Sequence, residues 1–270
     1  MLARPAANKL ILSEAASAPD TVERFRREAT ATASLSSPHT VTLYDFGVSD
    51  QGQFYYVMEM LDGFDLEHYL GQHGTMPPAR LVHFLIHACR SLVEAHAAGL
   101  VHRDLKPSNM YACRLGLEVD VLKILDFGLV RQAGGNQPRL TQADLIVGTP
   151  DFIAPECALG KDDLDGRTDV YSLAATAYNL AAGKSVFTGA NPMVVVMQHI
   201  QAKPVPLVTV APHVPQGLSD LLMACLAKSP ADRPDAQVLL AALLASGLAQ
   251  DWTETDRQTW WAEHRQARKA

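Results

Sequence analysis

The pattern of apolar positions predicts a chain that begins with short strands and continues as a series of helices. A long helix is predicted after Pro78, because apolar residues recur there at spacings of three and four: Leu81, Phe84, Leu85, Ala88, Leu92 and Ala95. Gly99 suits its end, since glycine adopts the left-handed conformation without strain. Further helices are predicted at residues 191–202, 216–227 and 235–245, with Pro and Gly between them.

The first sixty residues have a different pattern. Residues 40–46 and 53–58 are rich in β-branched and aromatic side chains and are separated by turn-forming residues, which predicts a hairpin. Residues 7–12 read as another strand. Residues 20–35 read as a helix, with Asp20 as its N-cap and Glu23 three residues later in a capping-box arrangement.

Composition limits the classes of function. The chain has 270 residues, 48% of them hydrophobic, and a mean hydropathy near zero, so it is long enough for a large core or for two lobes sharing a cleft. A net charge of −6 and a pI of about 5.9 argue against nucleic acid or an anionic membrane surface as the main partner.

The cysteines and the longest apolar run add the expected location. Four cysteines lie far apart without a Cys-x-x-Cys pair, which predicts neither a zinc site nor a disulfide framework and favours reduced, cytoplasmic thiols. The longest apolar stretch, residues 239–249, is too short to span a bilayer, and no apolar secretory segment is expected at the start.

Residues 102–109, HRDLKPSN, concentrate unlike polar groups directly after the long apolar helix. Phosphoryl transfer needs a carboxylate to take the nucleophile's proton, a cation to offset charge on the moving phosphoryl group, and oxygen ligands for a metal ion. Asp104, Lys106 and Asn109 supply these three groups. The sequence therefore makes this stretch the candidate catalytic loop.

A second carboxylate, Asp126, follows the β-branched and apolar run 121–125, which predicts a strand that ends at Asp126. A carboxylate at a strand end suits Mg²⁺, which prefers oxygen ligands and is usually shared with phosphates. The motifs HRDLKPSN and DFG (126–128), followed by GTP (148–150) and APE (154–156), occur in the order typical of protein kinases. The chain resembles the eukaryotic-type serine/threonine protein kinases, in particular their bacterial members.

The resemblance implies an α+β, two-lobed fold with a truncated small β lobe and a large, mainly α-helical lobe. It divides the chain into a partial small lobe (1–61), a large lobe (62–250) and a C-terminal helical tail (251–270). In the tail, one of the adjacent residues Trp260 and Trp261 is expected to pack on the large lobe, with the other partly exposed.

The resemblance also implies ATP and Mg²⁺ as ligands. Lys9 and Glu28 would form an ion pair that holds the α and β phosphates, and residues 59–61, from Glu59 to Leu61, would be the hinge that meets adenine. Asn109 and Asp126 would hold Mg²⁺. The sequence leaves a simpler alternative open for the first pair: Lys9 as a solvated lysine and Glu28 as a balance for nearby arginines.

Other motif residues imply a platform for a protein substrate with Ser or Thr hydroxyls. Arg103 is expected to pair with a phosphate on the loop that follows Asp126, where Thr141 is the best-placed acceptor or simply a loop threonine. Thr149 would lie against Asp104 and Lys106 and shape the substrate site. Two structural roles are also implied: an ion pair between Glu156 and Arg233, and an Asp169 carboxylate that holds the catalytic loop.

The chain departs from the family before Lys9, where no glycine-rich phosphate loop is present. Three hypotheses follow: an active kinase, a non-catalytic kinase-like binding or scaffold module, or a fragment with a mis-assigned start. An exposed strand edge at Lys9 would favour self-association, and autophosphorylation is a further expectation. The substrate and the regulatory signal are not predicted.

Overall fold

The computed structural model describes residues 5–11, 19–50, 52–127 and 150–264. Its small lobe contains one antiparallel sheet and one helix. The strands are β1 (Ala6–Ile11), β2 (Leu43–Val48) and β3 (Phe54–Glu59), in the order β1-β3-β2. The helix α1 (Pro19–Ala33) packs on them, with Phe25 stacked on Phe54 at a centroid distance of 4.2 Å.

The predicted hairpin is present, but its first strand begins later than expected. Thr40 and Val41 were predicted to belong to it, whereas both contact Ile124 in the large lobe: Thr40 forms a parallel bridge and Val41 N–H donates to the Ile124 carbonyl. Their backbone groups are therefore already used when β2 starts at Leu43.

The second sheet belongs to the large lobe. It consists of β4 (Asp62–Asp65), β5 (Met110–Leu115) and β6 (Glu118–Ile124), all antiparallel, in the order β4-β5-β6. The extra length between Asn109 and Asp126 forms the β5–β6 hairpin, which turns at Gly116 with a φ of 61°. The hairpin absorbs this length with a register shift between Cys113 and Leu115.

The rest of the described large lobe is mainly helical. Its helices are α2 (Leu66–His73), α3 (Pro78–Ala97), α4 (Pro155–Ala158), α5 (Arg167–Ala182), α6 (Pro192–Gln201), α7 (Leu207–Val210), α8 (Gln216–Cys225), α9 (Ala236–Ala245) and α10 (Glu254–His264). The helix α5 is central, since every residue from Thr168 to Ala181 is buried. Within the described ranges, no helix is both long and apolar enough to cross a bilayer. The predicted α+β, two-lobed fold is confirmed.

The tail helix α10 packs on the large lobe around one buried carboxylate. Asp120 in β6 pairs with Arg80 in α3, and neither side chain is exposed (0% each). The same carboxylate accepts the indole N–H groups of Trp252 and Trp261 at 2.7 and 2.8 Å. Trp261 is buried as predicted for one of the two adjacent tryptophans, and Trp260 is partly buried, 3.8 Å from the Arg80 guanidinium.

Candidate active site

The candidate catalytic loop lies between α3 and β5, and Asp169 accepts hydrogen bonds from its backbone. This buried residue in the first turn of α5 accepts the backbone N–H groups of His102 and Arg103, both at 2.8 Å. His96 Nε2 donates to the same carboxylate at 2.8 Å. Arg103 has a φ of 65°, a left-handed turn that costs a non-glycine residue energy and persists because these contacts hold it. The contact implied for Asp169 is therefore present.

Asp104, Lys106 and Asn109 lie in mutual contact on this loop. Lys106 Nζ is 2.9 Å from Asp104 Oδ2, and Asn109 Nδ2 donates to the Asp104 carbonyl at 2.8 Å and to its Oδ2 at 3.1 Å. Asn109 is nearly buried, whereas the Asp104 side chain is 41% exposed. An oriented carboxylate that solvent can still reach is suited to accept a proton from an incoming hydroxyl.

The end of β6 brings Asp126 beside this loop. Leu125 N–H donates to the Asn109 carbonyl at 2.9 Å, and His102 Nε2 donates to the Leu125 carbonyl at 2.7 Å. Asp126 itself turns the chain with a φ of 56°. These bonds place the amide side chain of Asn109 and the carboxylate of Asp126 on neighbouring segments, and oxygen donors of this kind fit Mg²⁺.

Lys9 reaches this site from the small lobe. Its ammonium forms an ion pair with the Asp126 carboxylate, a contact that the sequence did not predict. Lys9 lies opposite Tyr56 in the β1–β3 register, and burial, followed by the charges of Glu28 and Asp126, raises the pKa of the Tyr56 hydroxyl. Lys9, Glu28 and Asp126 thus share one neighbourhood, and pairing between Lys9 and Glu28 stays a prediction.

The predicted hinge contacts the large lobe through a lysine that the sequence analysis did not identify. Lys123 in β6 is only 3% exposed; its Nζ donates to Glu59 Oε1 at 2.6 Å and to the Thr40 carbonyl at 3.3 Å. Glu59 Oε1 also accepts the Thr42 N–H at 2.8 Å. The Glu59 N–H in turn donates to the Thr42 carbonyl at 3.0 Å. The sequence contains one signal for this contact: Lys123 is the single charged residue in the apolar run 121–125, and a buried lysine requires a partner.

Beneath the loop, Glu156 and Arg233 form the implied ion pair. Arg233 binds the carboxylate with two nitrogens at 2.7 and 2.8 Å, and the Thr168 hydroxyl donates to it at 2.8 Å. Burial alone would raise the pKa of the Glu156 carboxyl, but these hydrogen bonds and the Arg233 charge outweigh it and hold the pKa below its ordinary value.

Three predicted features lie outside the described residues: Thr141, Thr149 and the glycine of the DFG motif, all within 128–149. Their roles, and the pairing of Arg103 with a phosphate on Thr141, stay predictions. Leu61 lies between β3 and β4, as expected of a hinge residue.

Comparison with known proteins gives a consistent result. The sequence model of the family described as Protein kinase domain matches residues 3–244. Two curated relatives from Mycobacterium tuberculosis, both named serine/threonine-protein kinase, are PknA, 37% identical over 236 residues, and PknB, 34% identical over 235 residues. Each match covers 86% of this chain, 52% of PknA and 37% of PknB. The chain thus spans about a third to a half of the length of these relatives.

Solved structures show the same architecture. The kinase domain of PknI from Mycobacterium tuberculosis, crystallised as a double mutant, has a TM-score of 0.67 at 26% identity. The match covers 89% of this chain and 84% of the PknI chain. Rad53 in complex with AMP-PNP has a TM-score of 0.70 at 23% identity; that match covers 87% of this chain and 56% of the Rad53 chain, and it supports the fold alone. With the motif residues gathered at one site and the family match spanning nearly all of the sequence, the chain belongs to the protein kinase domain family.

Proposed function

We propose that this chain is a serine/threonine protein kinase that transfers the γ-phosphoryl group of ATP to protein hydroxyls. The observation that carries the proposal is the contact between Asp104, Lys106 and Asn109 directly beside the strand end that bears Asp126. These are the groups that phosphoryl transfer requires, and they lie on the loop and the strand end that the family uses.

Each residue has a role that follows from its contacts. Asp104, oriented by Asn109, accepts the proton of the attacking hydroxyl, and Lys106 offsets charge on the transferred group. Asn109 and Asp126 would hold Mg²⁺, which when bound neutralises phosphate charge. Lys9 carries three donor hydrogens, so it can bind phosphate oxygens while remaining near Asp126.

The substrate class follows from the platform and from the relatives. The Glu156–Arg233 pair and the Asp169 contacts build the base on which the family binds peptides, which supports a protein substrate. The names of PknA and PknB support Ser and Thr as acceptors. We extend the proposal to autophosphorylation at Thr141, to self-association at the edge of β1 and to a cytoplasmic location, the last consistent with four free cysteines.

A non-catalytic kinase-like binding module is the second candidate. Such a module would bind a partner or a nucleotide without transferring phosphate.

One assay separates these functions. The chain and its Asp104→Asn variant, both shown to be folded by circular dichroism, are incubated with γ-labelled MgATP and a generic basic protein. Label on Ser or Thr that disappears in the variant supports the kinase. A folded chain that incorporates no label contradicts activity, and titration calorimetry with MgATP then decides whether a nucleotide-binding module remains.

We expect Lys123→Met to weaken ATP binding more than catalysis. Removing the ammonium leaves the Glu59 carboxylate without its main partner at the hinge, and a lost charge-assisted hydrogen bond costs about 1.5–3 kcal/mol. The KM for ATP should rise about tenfold, while kcat changes less than about threefold. Steady-state kinetics at varied ATP measures both, and the exposed Lys161→Met variant is the control. An unchanged KM would show that this ion pair does not position the hinge.

A further inference from the structure

The strand that delivers Asp126 has an unusual outer edge. Among the described strands, β6 pairs with β5 on one side, and its other side meets only the isolated bridge to Thr40. A strand edge leaves backbone N–H and C=O groups that must be satisfied when they are buried. Three histidines satisfy several of these groups.

These histidines contact backbone groups of alternate residues along the edge of β6. His83 Nε2 donates to the Asp120 carbonyl at 2.9 Å, and His39 Nδ1 donates to the Leu122 carbonyl at 3.0 Å. The Leu122 N–H donates in turn to His87 Nδ1 at 3.3 Å. We call His39, His83 and His87 the histidine ladder.

The ladder is packed ring on ring. The rings of His39 and His87 are stacked at 4.0 Å with an interplanar angle of 17°, and His83 meets His87 at 4.3 Å. His39 also continues the edge with its backbone, because its carbonyl accepts the Ile124 N–H at 2.8 Å. The outward backbone groups of β6 are thus bonded up to two residues before Asp126.

Three further hydrogen bonds fix the segment that carries His39. Glu94 in α3 accepts the N–H groups of Ser36 and Ser37, each at 2.7 Å, and the hydroxyls of Thr40 and Ser91 lie 2.6 Å apart. His83 and His87 project from the same helix. Helix α3 therefore sets the position of all three rings against β6.

We propose that His39, His83 and His87 are positioning residues for Asp126: they replace a neighbouring strand along β6 and so fix the carboxylate at its end. The proposal rests on the proposed function, in which Asp126 holds Mg²⁺. It also requires an unprotonated Nδ1 on His87, because a proton there would face the Leu122 N–H. The ladder therefore works in the neutral state.

The surroundings favour that neutral state. The charged groups facing the ladder are Arg80 and Arg90 from α3, Lys123 and Asp120 from β6, and Arg257 from α10. Four of these five are cations. Burial, followed by neighbouring charges, lowers the pKa of His39 to about 4 and lowers the pKa values of His83 and His87.

The sign of the pH effect follows. The pKa values in the folded chain lie below the unfolded value of about 6.5, so the unfolded chain binds protons first as the pH falls. The contribution of these histidines to the free energy of unfolding is fully present above about pH 6.5 and decreases towards pH 4. Each such histidine raises the unfolding equilibrium constant about tenfold per pH unit in this window.

The test uses two variants of His87. His87→Phe keeps a ring for stacking but removes the acceptor, whereas His87→Asn restores an acceptor oxygen at the δ position. His68→Phe, on the exposed face of α2, is the matched control. We expect the Leu122 amide to exchange with deuterium at least tenfold faster in His87→Phe, and about as slowly as wild type in His87→Asn and His68→Phe.

A second readout addresses positioning itself. Titration calorimetry with ATP at increasing Mg²⁺ measures the Mg²⁺ concentration that ATP binding requires. We expect this concentration to be at least fivefold higher for the folded fraction of His87→Phe and equal to the wild-type value for His87→Asn. A purely structural role would lower the folded fraction and leave this requirement unchanged. Equal Mg²⁺ requirements, or unchanged exchange at Leu122, overturn the proposal.

The wild-type chain supplies a test even if His87→Phe does not fold. The free energy of unfolding, measured with urea, should decrease as the pH falls from about 7 to about 5. The His87→Asn substitution should reduce the number of protons taken up on unfolding by about one. An unaltered proton uptake contradicts the neutral ladder. A wild-type chain that transfers no phosphate but protects Leu122 and binds MgATP would refute the catalytic proposal while leaving the ladder intact.

Discussion

Asp104→Asn is expected to lower kcat for phosphoryl transfer by a factor of about 10²–10⁴, the range usual for removal of a general base. The amide still accepts hydrogen bonds from Lys106 and from Asn109, so the loop keeps its geometry. It cannot take the proton of the attacking hydroxyl. The KM for ATP should change little, because Asp104 acts on the acceptor side of the reaction.

Initial rates with γ-labelled MgATP measure this loss, and near-ultraviolet circular dichroism establishes that the variant is folded. Asp163→Asn, which removes an exposed carboxylate elsewhere in the large lobe, should retain wild-type kcat. If Asp104→Asn keeps more than about a tenth of the wild-type kcat, the hydroxyl loses its proton elsewhere, and Asp104 is not the base.

Much of this site was accessible from the sequence because its polar residues are adjacent along the chain. Asp104, Lys106 and Asn109 meet within one loop, and the apolar run before Asp126 indicates the strand that ends beside them. The helical stripe of α3 predicted the buried side against which the loop is placed. The α+β fold followed from these elements and from the family resemblance.

The rest depended on partners that are distant in sequence. Glu59 and Lys123 are 64 residues apart, and Asp120 and Trp261 are 141 apart. No periodicity connects such positions, because their contact is decided by which β6 residues face the hinge, α3 and the tail. His87 illustrates the limit: its place on α3 can be read from the sequence, but its role depends on the edge of β6 that is not paired with another strand.

Lys9 was incompletely predicted for a related reason. Its position opposite Tyr56 follows from the register of β1 and β3, but its ion pair with Asp126 depends on the approach of two lobes. The sequence placed Glu28 on the helix beside that sheet, and it could not show that Asp126 also comes close to Lys9. Contacts across the cleft are set by tertiary packing and not by local pattern.

Asp120→Asn is expected to cause a large loss of stability. Asparagine tolerates the left-handed backbone of this position, where φ is 64°, so the substitution removes charge without adding strain. It leaves the Arg80 guanidinium buried without its anion and provides one acceptor oxygen for two indole N–H groups. Breaking a buried ion pair in this way costs about 3–5 kcal/mol.

Urea unfolding should show this as a midpoint lowered by about 1 M or more, given slopes of about 3 kcal/mol per M for larger chains. Asp62→Asn, an exposed carboxylate on β4 of the same sheet, should shift the free energy of unfolding by less than about 0.5 kcal/mol.

The double variant Arg80→Met with Asp120→Asn distinguishes the cause of this loss. It removes the unpaired cation, so it should be more stable than Asp120→Asn alone if the buried charge dominates. If the double variant is the less stable of the two, the stacking of Arg80 on Trp260 matters more than its charge pair. A loss below about 1 kcal/mol in Asp120→Asn would show that the tail does not depend on this carboxylate. A loss of about 3–5 kcal/mol would show that residues 252–261 unfold together with β6, the strand that leads to Asp126. These residues follow the family match, which ends at residue 244.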